Sequence, residues 1–266
     1  MSAPLKPEQV VRELERRILS GELKSGERLP TEGELGVQLG VSRTVVRDAV
    51  RTLTNRHLVR VRHGFGMEVA PPSDLPLAHA LADLLMRSDV TVGEVLDGRE
   101  ALDRELAPLA ARNATEADVA RASEQLERFA TAAAAGDDAV AQDAHLELHL
   151  SLVGAMHIPA LELMLKPMAE VILLSSVRPT PDPARWEVDS HRPLVDALRA
   201  HDEHALVRAV EHHFAVLRGG AYDGFRATRF RELLDHREFA VLRGLLRDRG
   251  AATEAASHAA ATEAAS

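Results

Sequence analysis

Two short helical segments separated by almost no connecting chain constrain this sequence more than any other feature. Thr31 is placed to cap a helix over 31–39, with Glu34 three residues on completing a reciprocal capping box. Gly40 supplies a turn, and Ser42 at once caps a second helix over 42–56. The inward residues of that helix, Val45, Val46, Ala49, Val50 and Leu53, recur at the helical period. Ahead of the pair, 7–19 reads as a helix with Val10, Val11, Leu14 and Ile18 inward. Behind it, 58–61 and 67–69 read as short strands joined through His63-Gly64-Phe65-Gly66. Three helices and a small hairpin predict a winged helix-turn-helix over residues 1–70.

The composition breaks at Ala70-Pro71-Pro72-Ser73-Asp74, so 71–75 reads as a short, stiff linker. Beyond it only helical periodicity is visible, over roughly 75–87, 92–112, 115–135, 137–154, 159–177, 189–200 and 203–218. This predicts an all-helical domain over 76–220 and an additional helical segment within 221–250. Residues 251–266 repeat Ala-Thr-Glu-Ala-Ala-Ser and hold no large apolar side chain, so a disordered tail is expected there. Aromatics are only 3% of the chain, which favours helices over sandwiches and barrels. The fold class is mainly α.

Cysteine is absent, which excludes disulfides, thiolate-ligated metals and thiol nucleophiles. No apolar run approaches the roughly 20 residues of a membrane span. The first ten residues lack the apolar core of a signal peptide, so a cytoplasmic location is expected. The formal charge is −9, yet residues 41–66 hold Arg43, Arg47, Arg51, Arg56, Arg60 and Arg62 against the single acid Asp48. A basic stretch on an acidic body suits one contact module joined to a regulatory or catalytic partner.

In a helix-turn-helix the second helix enters the major groove of double-stranded DNA and its first residues reach base edges. Those residues are Ser42, Arg43, Thr44 and Arg47. Arg43 and Arg47 lie i, i+4 opposite the apolar stripe, and the arginine fork matches guanine O6 and N7. Thr44 and the hairpin tip His63-Gly64 suit phosphate or minor-groove contacts. The plain alternative is a solvated basic helix face.

Thirteen histidines are present. His145 and His149 lie i, i+4 on a stripe with Ala141, Leu148 and Leu152. His191 shares a stripe with Leu194, Val195 and Leu198, and His213 one with Leu206, Val210 and Leu217. His191 and His213 straddle the turn at His201-Asp202, so folding the two helices together brings them face to face. Four histidines on inward stripes point to a divalent metal site, for which imidazole favours Zn(II) or Ni(II) and leaves Mn(II) and Fe(II) open. The alternative is hydrogen-bonded core histidines. No His-Glu-x-x-His motif is present and Glu147 points away from the pair, so a catalytic base is missing. Arg99 shares a stripe with Val95, Leu102 and Leu106, and a buried guanidinium demands a carboxylate, either an internal Asp or Glu or that of a ligand held bidentately.

The stretches Ser20-Gly21-Glu22-Leu23-Lys24-Ser25-Gly26-Glu27-Arg28-Leu29-Pro30-Thr31-Glu32 and Val41-Ser42-Arg43-Thr44-Val45-Val46-Arg47 resemble the N-terminal domain of GntR-family bacterial transcription regulators. The resemblance implies DNA contacts through Arg43, Thr44, Arg47 and the tip at His63-Gly64. Many members carry a further DNA-contacting arginine where this chain has Gly33. Residues 76–218 resemble the FCD domain of the FadR subfamily, an antiparallel helical bundle, through 97–103, 145–152 and the His191 to His213 stretch. In metal-binding members an Asp and three His hold the ion. The histidines match His149, His191 and His213, whereas the Asp position falls on His145, and Asp143 is about 240° around the helix from His149. The resemblance implies a homodimeric regulator, usually a repressor and not an enzyme, on a palindromic operator. A small organic or sugar acid at the metal, with Arg99 as second anchor, is the expected effector. A metal-free acyl-CoA sensor and a helical metalloenzyme are the alternatives.

Overall fold

The computed structural model describes residues 6–62, 64–174 and 186–235, which divide into two compact units at Pro76/Leu77. The tail at 251–266 and the stretches 175–185 and 236–250 lie outside the described residues, as does the end of the helix expected over 159–177.

The first unit contains α1 (Pro7–Leu19), α2 (Glu32–Leu39), α3 (Arg43–Asn55), β1 (Val59–Arg62) and β2 (Gly66–Val69). The capping box forms at α2: Thr31 Oγ1 accepts from the Glu34 amide at 3.3 Å, and the Thr31 amide donates to Glu34 Oε2 at 2.8 Å. Gly40 ends the helix in the left-handed conformation at φ 67°, which glycine adopts without penalty. A β-carbon at Gly36 would stand 2.9 Å from the Val41 carbonyl oxygen, so the turn closes only because that position is bare. β1 and β2 pair antiparallel with Val59 opposite Val69 and Arg62 opposite Gly66. Val10, Leu14, Leu35, Val46, Leu53 and Val59 are among the buried side chains of this small core. Each fully buried Val or Leu contributes about 1.5–3 kcal/mol.

The second unit is helical: α4 (Leu75–Arg87), α5 (Val92–Asn113), α6 (Glu116–Ala135), α7 (Asp138–Gly154), α8 (Pro159–Leu174), α9 (Val188–Arg199) and α10 (Glu203–Leu217). Two 3₁₀ turns, Gly220–Tyr222 and Phe230–Asp235, flank the short α11 (Asp223–Ala227). α6 packs on α7 and α9, α10 on α5 and α9, and α8 on α7. Alanines line these contacts, among them Ala110, Ala111, Ala122, Ala141, Ala144 and Ala209, and small side chains let helix axes approach closely. The segment after α10 returns to the start of α5: the Val92 amide donates to the Thr228 carbonyl at 2.9 Å, and the Phe230 amide to that of Val90 at 2.9 Å. Arg226 bonds Asp97 at 2.6 Å and Phe230 is fully buried. The additional segment therefore packs as 3₁₀ turns and one short helix as far as it is described.

Candidate functional site

The first turn of α3 presents Ser42, Arg43, Thr44 and Arg47 to solvent, while Val46, Ala49 and Val50 face the core. Ser42 Oγ accepts from the Val45 amide at 3.4 Å, which ties down the helix start. The two arginines are not equally free. Arg47 grips Glu32 on α2 through Nε at 3.1 Å and Nη2 at 2.9 Å, and that pair holds the Glu32 carboxyl below its ordinary range. Arg43 folds over Gly33, where a β-carbon would stand 2.9 Å from its Nη2. The bare Gly33 leaves that space to the Arg43 side chain. At the hairpin tip, Phe65 is 43% exposed and lies 5.3 Å from the Arg28 guanidinium and 5.5 Å from that of Arg62. Gly64 turns there at φ 76°, and His63 lies outside the described residues. Glu68 is buried beneath the strands and pairs with Arg60, with Arg62 3.8 Å away.

In the helical unit, α7 supplies His145 and His149, α9 supplies His191 and α10 supplies His213, and all four are buried. Ligand atoms of His145, His149 and His191 all lie within 4.8 Å of one another. His213 stands outside that triad but against it, its ring 4.5 Å from that of His191 and 5.4 Å from that of His149. Phe129 backs the group, 5.1 Å from His145 and 5.2 Å from His191.

Hydrogen bonds fix the tautomers. Ser190 Oγ donates to the Glu187 carbonyl at 2.8 Å, so it accepts from His213 Nδ1–H at 3.0 Å. His191 Nδ1–H donates to the same carbonyl at 2.9 Å. Both rings therefore turn a bare Nε2 lone pair inward, the orientation that outer partners impose on metal-binding histidines. His145 Nε2 lies 3.1 Å from His191 Nε2, whereas His145 Nδ1 and His149 Nε2 are buried without a partner. Burial pushes His145, His149 and His213 well below their ordinary range, and His191 down to about 4 despite the Glu187 carbonyl. The rings are neutral at pH 7, the state in which imidazole ligates.

Arg99, buried on α5, joins this group. Its Nε donates to Asp103 Oδ2 at 3.0 Å, its Nη2 to His149 Nδ1 at 2.9 Å, and its Nη1 has no partner. It lines a cavity of about 820 Å³, mouth included, between α5, α7, α8, α9 and α10. Among the described residues, the polar ones on that wall are Arg99, Asp103, His149 and His213, and the others are aliphatic, methionine or Phe214. Asp143 turns the other way and binds Arg128 on α6 at 2.7 Å, so it does not stand in for the fourth histidine.

Residues 6–69 match the model of the bacterial regulatory proteins of the gntR family, and residues 94–216 match the FCD domain. The chain belongs to the gntR family. It is 25% identical over 226 residues to the Glc operon transcriptional activator of Escherichia coli K12, covering 81% of this chain and 89% of that protein. It is 29% identical over 163 residues to the HTH-type transcriptional regulator LutR of Bacillus subtilis, covering 61% of this chain and 73% of LutR. Among solved structures, Streptococcus agalactiae GntR superimposes with a TM-score of 0.58 at 26% identity, over 80% of this chain and all of that one. These relatives are regulators of transcription, not enzymes. Among the described residues no helix is long and apolar enough to cross a membrane.

Four participants in this gntR-family chain escape motif reading. Ser190 and the Glu187 carbonyl orient two histidines, Asp103 holds Arg99, and Glu32 holds Arg47. Asp103 was within reach, being i, i+4 from Arg99 on one helix. Ser190 directly precedes His191, but its service to His213 depends on how α9 and α10 pack. Glu32 lies fifteen residues from Arg47, and only the helix-turn-helix fold joins them.

Proposed function

We propose that this DNA-binding transcription regulator of the gntR family, with its FCD effector domain, binds a palindromic operator as a homodimer, that His145, His149, His191 and His213 hold one divalent ion, and that a small carboxylate at this site with Arg99 controls operator affinity. The observation that carries the reading is a buried cluster of four imidazoles beside a guanidinium with a free Nη1 on a cavity wall.

The donor set fits a metal. Leaving a buried polar atom unsatisfied costs about 1–3 kcal/mol; His145 Nδ1 is an acceptor in that position, and His149 Nε2 becomes a second one once Arg99 gives up Nδ1. Imidazole without thiolate or carboxylate suits Zn(II) or Ni(II). Bound there, the ion would supply a Lewis-acidic docking point for a carboxylate oxygen. Four neutral rings leave its double charge uncompensated, and Asp103 offsets only Arg99. A site so charged selects an anion. His191 and His213 sit on different helices, so occupancy of the site bears on how α9 and α10 pack. Effector binding that loosens the operator is the behaviour of a repressor.

On the DNA side Ser42, Arg43, Thr44 and Arg47 form the reading edge, with His63-Gly64 at the hairpin tip on the neighbouring groove. One such unit reads a half-site, which is why two copies on a palindrome are proposed. The deciding experiment measures metal content and operator affinity of the full chain with and without carboxylates. About one ion per chain and a carboxylate-dependent change in operator affinity are expected. Metal-free protein whose operator affinity ignores every carboxylate would refute the reading.

A further inference from the structure

We propose that the effector is a monocarboxylate with an extended apolar tail, its head held at Arg99 and its tail lying along the aliphatic cavity. This rests on the carboxylate reading above and departs from the small organic or sugar acid expected from sequence.

The cavity is graded. Its polar residues form one contiguous cluster, with Asp103 and His149 both bonded to Arg99 and His213 beside His149. Every helix that leaves this cluster toward the rest of the cavity turns apolar. On α5 the wall continues from Asp103 to Leu106 and Ala110, and on α7 from His149 to Leu152 and Met156. On α10 it continues backward from His213 to Val210 and Leu206. These three courses run the same way, because the end of α5 lies beside the start of α10, where Arg112 binds Glu203 at 2.7 Å, and beside the chain just past α7, where Asn113 Nδ2 donates to the Met156 carbonyl at 2.7 Å. Seven residues of α10, from His213 to Leu206, span about 10 Å at 1.5 Å per residue, and among the described residues the wall extends about that far past the anchors without a hydroxyl, amide or charge.

A hydroxy acid or sugar acid fits such a site poorly. Its carboxylate finds Arg99, but hydroxyls carried further along the chain meet the aliphatic part of the wall, where unpaired polar groups lose their solvation without return. An alkyl or aryl tail gains instead, and Met156 and Met168 give the wall the adaptability to accept tails of different shape. An acyl-CoA thioester is disfavoured for a different reason. It lacks the free carboxylate, and its polyphosphate needs cations, whereas Arg99 is the one Lys or Arg among the described residues of this wall.

Calorimetric titration of the zinc-loaded full chain with acetate, butanoate, hexanoate and octanoate, beside lactate, gluconate, octanamide and octanoyl-CoA, tests this. Affinity is expected to rise about fourfold per added methylene until the cavity is full, with octanoate tightest and octanamide weak. Leu165→Trp, on the partly exposed α8 wall, should weaken octanoate roughly fifteenfold, the loss of about two buried methylenes, and leave butanoate nearly unchanged. A flat series, or lactate or gluconate binding tighter than octanoate, overturns the tail while leaving the carboxylate reading intact. Tighter binding of octanoyl-CoA or octanamide than of octanoate overturns the free carboxylate head. Binding of none of them overturns both readings together.

Discussion

Arg99 Nη2 donates a hydrogen bond to His149 Nδ1 across 2.9 Å, so the anchor for an anion and a candidate metal ligand are one hydrogen-bonded unit. A guanidinium is a donor only. His149 must therefore accept at Nδ1 and carry its proton on Nε2, the atom left buried without a partner. In this arrangement His149 offers no free lone pair until Arg99 lets go.

Arg99→Ala follows from this competition. Removing the guanidinium frees His149 Nδ1 and deletes a positive charge beside the cluster. Zinc affinity should rise by on the order of tenfold, a modest share of the roughly 4 kcal/mol between unit charges 4 Å apart at an effective dielectric of 20. Carboxylate response should be lost. Competition against a chromophoric chelator reads the first effect and operator release the second. Unchanged zinc affinity would mean that Arg99 and the metal do not compete.

Ser190→Ala removes the acceptor for His213 Nδ1–H and a donor to Glu187. Loss of such an outer partner typically lowers metal affinity 10- to 100-fold. The expected result is weaker zinc binding with the helical circular dichroism spectrum retained. The double variant His149→Ala/His191→Ala should bind no stoichiometric zinc and should lose the thermal stabilisation that excess zinc gives the parent, about 4 kcal/mol at a thousandfold over Kd.

Acid should weaken the metal-free protein in a defined window. His191 titrates at about 4 when folded against an ordinary 6.5, and His145, His149 and His213 are displaced in the same direction. The unfolded chain binds more protons between those values, so the stability held above pH 6.5 is lost as pH falls toward 4. Urea midpoints at pH 7.5, 6.5, 5.5 and 4.5 check this. A flat profile across that range would show that the four rings are not buried as described.

On the DNA side, Arg43→Ala and Arg47→Ala should each cost about 1–3 kcal/mol of specific operator binding if they read bases. Glu32→Gln should do the opposite. It frees the Arg47 fork from an exposed, solvent-screened pair, so operator affinity should rise by up to about fivefold. Anisotropy titrations at one fixed salt concentration, on operator and random duplexes, separate base reading from phosphate contact.

The elements of the reading unit were legible because each is announced locally. Thr31 with Glu34, Gly40 and Ser42 fix helix ends through bonds within four residues, and the apolar stripe on α3 follows from period alone. The histidine cluster was legible to the extent that it is a matter of inward faces. Its inner geometry was not. Whether His213 completes the triad or stands beside it is set by how α9 and α10 lie against each other, which no stripe encodes. The same holds for Arg99: burial was readable, but its division between Asp103, His149 and an open Nη1 depends on α5 meeting α7. The polarity of the cavity was hidden for a related reason, since Leu106, Leu152 and Val210 read as ordinary core until the space between their helices is seen.

The return of residues 220–230 to the head of α5 separates two notions of where this sensor stops. The FCD match closes at residue 216, yet Thr228 and Phe230 supply partners to Val92 and Val90, at the start of the helix that carries Arg99. Homology thus marks a shorter module than cohesion does. A transplant of this domain into a chimeric regulator, cut at the homology border, would carry the histidines but leave the first turn of the anchor helix unpinned. A graft running through Phe230 would bring its own buttress with it.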